Sequence, residues 1–455
     1  MGGPPSSKQP SQQNRFIQRF SGMGRFSLVW CGQVVTLIGN SVLRFSLVIQ
    51  AWTVDHQVTQ VVALSLCALL PQMLLSPTAG AIVDRFRKRT ALQLADLGGL
   101  VAVAAMTAVY FLGDLHLWQV YVTVALLGAA AAFQFPALSS AVPLLVGKEQ
   151  LQRANGLLAT AKSVADVGGP ALAGLLVVTG GLGVVLWIDL LSFAVALLTV
   201  RLVRMDGDEP GEAGTRKRLG ADSLEGLRYL FAQPSLRGLI LVFFTVNLVM
   251  VFGFAVVQPM ILARTGSDVS ALASVNAGIG AGGIAGGLLL AAWGGPKNRV
   301  LGMMLGVVGM CVSAQIATAV VHGVVAWTAA MLVGAMIMPI VNGSMQSIIQ
   351  TKVPKDRQGR VFGAVMFVSQ ISSPVAMAFS GPLADQVFEP QAATGTGLAG
   401  LLRPLVGTGP GSGMAAMLFI AGLLGAGAAL WGLARRAVRH IDVLTPDLEK
   451  QPAGG

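Results

Sequence analysis

Charge is scarce in this sequence. Only 11% of its 455 residues are Asp, Glu, Lys or Arg, while 54% are hydrophobic; a water-soluble domain carries about 25% charged residues. A chain this apolar cannot cover its own surface in water, so a soluble globular protein is excluded. Histidine is rare as well. His56, His116 and His322 fall between apolar runs and His440 near the C-terminal end, which excludes a histidine proton relay within those runs. The three cysteines, Cys31, Cys67 and Cys311, lie inside apolar runs with no CxxC spacing. They form neither a disulfide framework nor a zinc site. Aromatic residues make up 6%, and the seven tryptophans sit mostly near run ends, as an interfacial belt requires. Gly147-Lys148 is followed by Glu149, so no phosphate-binding P-loop is present. Two GxGxxG strings, at Gly278 and Gly395, do not follow a strand and open a helix as a dinucleotide site requires. The expectation is a protein that is not an enzyme and has no cofactor and no metal.

What remains is apolar sequence in long runs, with a mean hydropathy of +0.70. Runs of about 20 residues recur, each long enough to cross a ~30 Å hydrocarbon layer as a helix. Lipid satisfies no backbone polar group, which leaves helices or closed barrels, and unbroken runs without period-2 alternation select helices. The spans read as 26–53, 60–83, 90–112, 118–146, 155–179, 182–203, 237–262, 269–293, 300–321, 324–350, 360–388 and 413–434. All but four of the 31 lysines and arginines then fall on one side; Arg264 and Arg403 lie opposite, and Arg44 and Lys162 lie within spans. That bias marks the basic side as cytoplasmic and puts both termini there. It also accounts for the net charge of +11 without a nucleic-acid partner. Residues 1–20 have no apolar core, so the first span is expected to act as the insertion signal.

The organisation follows: a tail over 1–24, six spans over 25–204, a linker over 205–235, six spans over 236–434 and a tail over 435–455. The linker contains a short amphipathic stretch with Leu224, Leu227, Leu230 and Phe231 on one face. The two halves read as repeats. Val142-Pro143, Glu149, Arg153 and Asn155-Gly156 after the fourth span correspond to Val353-Pro354, Asp356, Arg357 and Gly359-Arg360 after the tenth. Pro170 and Pro374 follow within the next spans.

Between the second and third spans stands Gly80-Ala81-Ile82-Val83-Asp84-Arg85-Phe86-Arg87-Lys88-Arg89. It resembles the loop signature G-x-x-x-D-R-x-x-R-[RK] of the major facilitator superfamily. Gly80 suits close helix packing, Asp84 suits a cap or an ion pair, and Arg85 to Arg89 anchor the loop at the cytosolic face. Gly169-Pro170-Ala171-Leu172-Ala173-Gly174 resembles the G-P-x-x-G-G antiporter motif, with Ala173 in place of one glycine. A kinked small-residue packing seam accounts for the same residues. Further segments, Glu149 to Gly156, Asp189 to Phe193, Glu225 to Leu230, Gly359 to Gly363 and Gly381 to Asp385, are similar to drug:proton antiporters of the macrolide-efflux and enterobactin-exporter branch. That branch often has Gly-Asp in the first span where this chain has Gly39-Asn40. The resemblance covers nearly the whole chain. It implies an all-α membrane protein of twelve transmembrane helices in two pseudo-symmetric six-helix bundles, rocking around a central cavity, in a bacterial cytoplasmic membrane.

An ionisable residue at membrane depth costs at least ~2.5 kcal/mol and marks a functional candidate. Four stand in this chain: Arg44, Lys162, Asp166 and Asp189. In the family the first and fifth spans border the cavity, so Asp166 is the first candidate to couple protons, with Arg44 as its partner. An equally open reading has two structural ion pairs, Arg44–Asp189 and Lys162–Asp166. Asp96, near the start of the third span, is expected to brace the basic loop. In the second half Asn247, Gln258, Asn276, Asn342, Gln346 and Gln370 either line a wet cavity or bind helices together. The resemblance implies export of an amphiphilic small molecule by proton antiport, by a monomer in the lipid bilayer. A dedicated exporter of a siderophore or natural product, and a membrane receptor or scaffold that moves nothing, remain as alternatives.

Overall fold

The computed structural model describes residues 22–113, 115–203, 205, 228, 234–353 and 355–435. The amphipathic stretch expected in the linker, and most of both tails, lie outside the described residues. The first half opens with α1 (Gly22–Asp55), α2 (Val58–Arg85), α3 (Lys88–Leu112) and α4 (Leu117–Leu145). Leu151–Leu202 follows as 52 residues broken at Gly181, whose φ of 66° and ψ of −173° only glycine adopts readily. This break separates α5 (151–180) from α6 (182–202).

The second half contains α7 (Pro234–Phe254), α8 (Val257–Arg264), α9 (Val269–Trp293), α10 (Arg299–Met310), α11 (Val324–Lys352) and α12 (Lys355–Leu383). α10 continues through a π-helical turn, Cys311–Ala317, and α12 through another, Ala384–Phe388. Three short helices, α13 (Glu389–Thr394), α14 (Gly397–Leu401) and α15 (Arg403–Val406), lead to α16 (Ser412–Ala434). Among the described residues ten helices are long and apolar enough to cross a membrane, the 52-residue element counting once. Large apolar side chains such as Phe135, Leu175, Leu191, Leu288 and Leu424 are exposed, a surface that only lipid can cover. This is an all-α, multi-spanning membrane fold.

Local signals set the helix starts. Asp268 caps α9, its Oδ1 accepting from Ser270 N at 2.8 Å, Ser270 Oγ at 2.6 Å and Ala271 N at 3.3 Å. The Ser270 hydroxyl, followed by these backbone donors, holds the Asp268 carboxyl below its usual range. Asp268→Ala is expected to cost about 1 kcal/mol. Because the folded-state value is depressed, the cap contributes above the unfolded value of about 3.9 and is lost as pH falls through the lower folded one. Thermal unfolding of the purified variant at pH 7 checks this; an unchanged midpoint would discount the cap.

Three buried cores define the shape. One joins both halves, with Val42 to Phe193 from the first and Val256 to Leu418 from the second. It lies towards the end carrying the α1–α2 and α9-leading turns. At the opposite end the core divides. One part is built from Phe26, Val29, Val83, Leu92 and Leu145 with their neighbours, the other from Ile240, Met304, Ile348 and Val361 with theirs. Between the halves α2 packs on α12 and α5 on α9. The molecule is therefore closed at one end and cleft at the end carrying the 80–89 signature.

Candidate transport site and its gates

A cavity of about 480 Å³ lies between the halves, lined mainly by α7 and α11, with further residues from α2, α8, α9, α10 and α12. Its wall is apolar, and five of its side chains are methionines: Met250, Met310, Met331, Met338 and Met377. Unbranched, polarizable methionines adapt to ligands of different shape. The polar groups are Ser65, Asn247, Gln258 and Asn342. Asn247 is partly engaged, its Oδ1 accepting from Ser372 Oγ at 2.9 Å. A second cavity of about 280 Å³ shares Ser65 and Met377 and is bordered by Arg44 and Gln72.

Not every expected polar group faces these cavities. Asn276 donates to Leu272 O in its own helix at 3.0 Å. Gln346 and Gln370 are exposed but line neither cavity. A helix in a bundle has several neighbours, so a polar stripe need not point at the cavity.

The ionisable groups are arranged differently from the simple pairs. Lys162 Nζ lies 3.1 Å from Asp166 Oδ2 on α5, with both side chains well exposed (75% and 60%). Such a pair stabilises little, about 0.2–0.5 kcal/mol. Arg44 is exposed although it sits deep in α1, because it borders the smaller cavity. Asp166 and Asp189 are the acids within its electrostatic reach, yet it makes no ion pair among the described residues. The expected Arg44–Asp189 pair is thus not formed. Asp189 is fully buried beside Gly39; its Oδ1 accepts from Ser192 Oγ at 3.2 Å, and its Oδ2 has no hydrogen-bond partner. Gly39 has no room for a side chain there, since a Cβ would stand 2.5 Å from Asp189 Oδ1.

Asp96 does not brace the basic loop. It is fully buried and accepts from Gln33 Nε2 at 2.9 Å and from Gln134 Nε2 at 2.8 Å, tying α3 to α1 and α4. Gln134 Nε2 also reaches Gln33 Oε1 at 3.1 Å. Two neutral amides thus supply the donors that a buried carboxylate needs. The three residues stand about two to three turns from the same end of their helices, and matching depths across spans would have revealed the cluster.

A second feature that sequence reasoning missed is a latch at the closed end. Asp385, just past α12, caps the start of α2 in the other half. Its Oδ1 accepts from Val58 N at 2.9 Å, and its Oδ2 from Thr59 N at 2.8 Å and Thr59 Oγ1 at 2.6 Å. A negative charge is favourable at a helix N-terminus. Beside it Trp52 Nε1 donates to Ser267 Oγ at 3.2 Å. Gly381 lets α12 approach the α2 backbone, where a Cβ would fall 2.7 Å from Thr59 Cα.

The signature loop stands at the open end. Asp84 pairs with Lys88 at 2.5 Å rather than capping α3, and Arg89 donates to Arg201 O at the end of α6. Arg85 is exposed. The close packing expected at Gly80 is not made: a Cβ there would meet nothing within 4 Å. Gly359 and Arg360 lie in the backbone of α12, and their side chains are outside those described. In the α5 motif Gly169 sits directly on Ser41 of α1, Gly174 meets Ala273 of α9, and Pro170 is buried.

An apolar multi-spanning bundle with a cavity between halves, latched at one end and open at the other, defines a carrier of small molecules. Residues 29–377 match the model of the Major Facilitator Superfamily, and the chain belongs to that family. It is a secondary-active small-molecule transporter, not an enzyme. The chain is 25% identical over 366 residues to macrolide efflux protein A of Streptococcus pyogenes, covering 80% of this chain and 90% of that one. It is 26% identical over 381 residues to multidrug efflux pump Tap of Mycobacterium bovis, with 81% and 88% covered. A solved bacterial homologue of the iron transporter ferroportin, in an inward-facing state, superposes with a TM-score of 0.66 at 16% identity, covering 91% of this chain and all of that one.

Proposed function

We propose that this protein is a proton-driven exporter of amphiphilic small molecules, seen open to the cytoplasm. The single observation that carries the reading is the core that is continuous at one end and divided at the other, with an adaptable apolar cavity between the halves. The similarity to efflux pumps supports the direction of transport. Counting α5 and α6 separately, joining α7 to α8, and adding α12 makes twelve crossings in two bundles of six. The basic residues at the cleft end support a cytoplasmic side for that end and for both termini. Cysteines introduced at His322 and Thr394 in a cysteine-free background are then expected to react with an impermeant thiol reagent outside intact cells, and one at Lys297 is not.

Asp166 is the first candidate for proton coupling, because the family resemblance puts its helix beside the central cavity and its side chain is exposed in this state. Asp189, with an oxygen that has no donor, is the second. Purified protein in vesicles with an imposed pH gradient is expected to accumulate at least one of a panel of anionic, uncharged and cationic amphiphilic dyes, and a protonophore is expected to abolish this. If no dye is moved, the exporter reading fails. Asp166→Asn is expected to abolish accumulation while keeping dye binding, since the amide mimics the neutral acid. If accumulation and its pH dependence persist, Asp166 is structural and the same test passes to Asp189→Asn.

A further inference from the structure

The two adjoining cavities have an unusual charge balance. They share Ser65 and Met377 as lining residues and so lie side by side. The larger part offers an apolar wall with neutral amides. Among the described lining residues, Arg44 is the one in the smaller part with a formal charge, and none in either part is a carboxylate. The acids within electrostatic reach of Arg44 are turned elsewhere: Asp166 towards Lys162, and Asp189 towards Ser192 behind Gly39. The Arg44 guanidinium makes no hydrogen bond or ion pair among the described residues, and it is exposed where it borders the smaller cavity, so its donors are available to a ligand there.

We infer that the site is built for an amphiphile carrying one acidic group, its carboxylate or sulfonate set against Arg44 and its apolar body in the methionine-lined cavity. The inference rests on the exporter reading for its biological sense, but it concerns binding and is testable by binding alone. A planar guanidinium presents paired donors that match such oxyanions. A cavity of this size suits a drug-sized molecule. A lipophilic cation would bring its charge towards Arg44 with no carboxylate among the described lining residues to pair with it, so the same geometry selects against cations.

The test uses the full-length protein in nanodiscs of phosphatidylcholine alone, so that no anionic lipid competes. Three probes are compared against empty discs: 1-anilinonaphthalene-8-sulfonate, the same ring frame without the acid (N-phenyl-1-naphthylamine), and the tetraphenylphosphonium cation. The sulfonate is expected to bind at least about ten-fold more tightly than its uncharged analogue, as one charge-assisted hydrogen-bonded contact implies. Arg44→Gln is expected to bring it down to the uncharged level, and Arg44→Lys to leave it between. Gln72→Glu, which keeps Arg44 but adds a carboxylate to the smaller cavity, is expected to weaken the sulfonate while leaving the uncharged probe within about two-fold. It serves also where Arg44 variants fail to fold. A sulfonate that binds no better than its uncharged analogue overturns the inference. So does tighter binding of the phosphonium, or an affinity that neither Arg44→Gln nor Gln72→Glu changes. Proton-driven accumulation, measured separately, decides the exporter reading, so the two stand or fall apart.

Discussion

In Asp385→Ala, a cysteine placed at Ser65 becomes reactive to an impermeant reagent from outside, whereas beside an intact Asp385 it is protected. Asp385 accepts three hydrogen bonds from Val58 and Thr59 across the halves, and Ser65 lines both cavities one to two turns further along α2. Hydrogen bonds to a charged group contribute about 1.5–3 kcal/mol each when buried. This latch is partly exposed, so about 3 kcal/mol for the set is a fair expectation, roughly a hundred-fold shift between the two states. Asp385→Asn keeps only one acceptor oxygen and is expected to lie between. If the Ser65 cysteine stays protected in Asp385→Ala, packing alone closes this end and the carboxylate is incidental.

Gly169→Ala is expected to remove most of the folded protein. The added methyl carbon would stand 2.1 Å from Ser41 Oγ and 2.4 Å from Ser41 Cβ, so rotating the hydroxyl away does not make room. Either α5 and α1 separate or both helices shift, and overpacking of this kind costs about 1–3 kcal/mol or more. The neighbour provides the control, because a Cβ at Gly168 meets nothing within 4 Å and Gly168→Ala is expected to behave as the parent. The double variant Ser41→Gly with Gly169→Ala restores the space. Folded yield and melting midpoint in detergent are the measurements. A midpoint that does not recover in the double variant would locate the damage away from this contact.

The membrane class and the positions of most spans were legible in the sequence because they depend on local composition. Twenty apolar residues have few alternatives to a helix in lipid. The break at Gly181 was likewise visible as a gap between two runs. The polar contacts were less so. Lys162–Asp166 is set by spacing within one helix and is formed, but Arg44–Asp189 needed two helices to meet at a particular rotation and is not. Asn247, Gln258 and Asn342 reach the cavity while Asn276 turns to its own backbone, a difference that periodicity cannot distinguish. Asp96 and Asp385 were both visible as isolated acids. Their partners lie 38 and more residues away for Asp96, and 326 and more for Asp385, and only the assembled bundle brings them together.

The seam between α2 and α12 has a consequence for the insulation of the membrane. At one end Gly381 presses on Thr59; at the other Gly80 stands free. If the two helices move as stiff rods about this line of contact, as the proposed alternating carrier requires, drawing the Gly80 end together would lift the Gly381 end apart. Both ends could not then gape at once, and no continuous column of water would join the two faces during turnover. The ion gradient that would power the carrier would thereby be protected by the same two helices that let its cargo through.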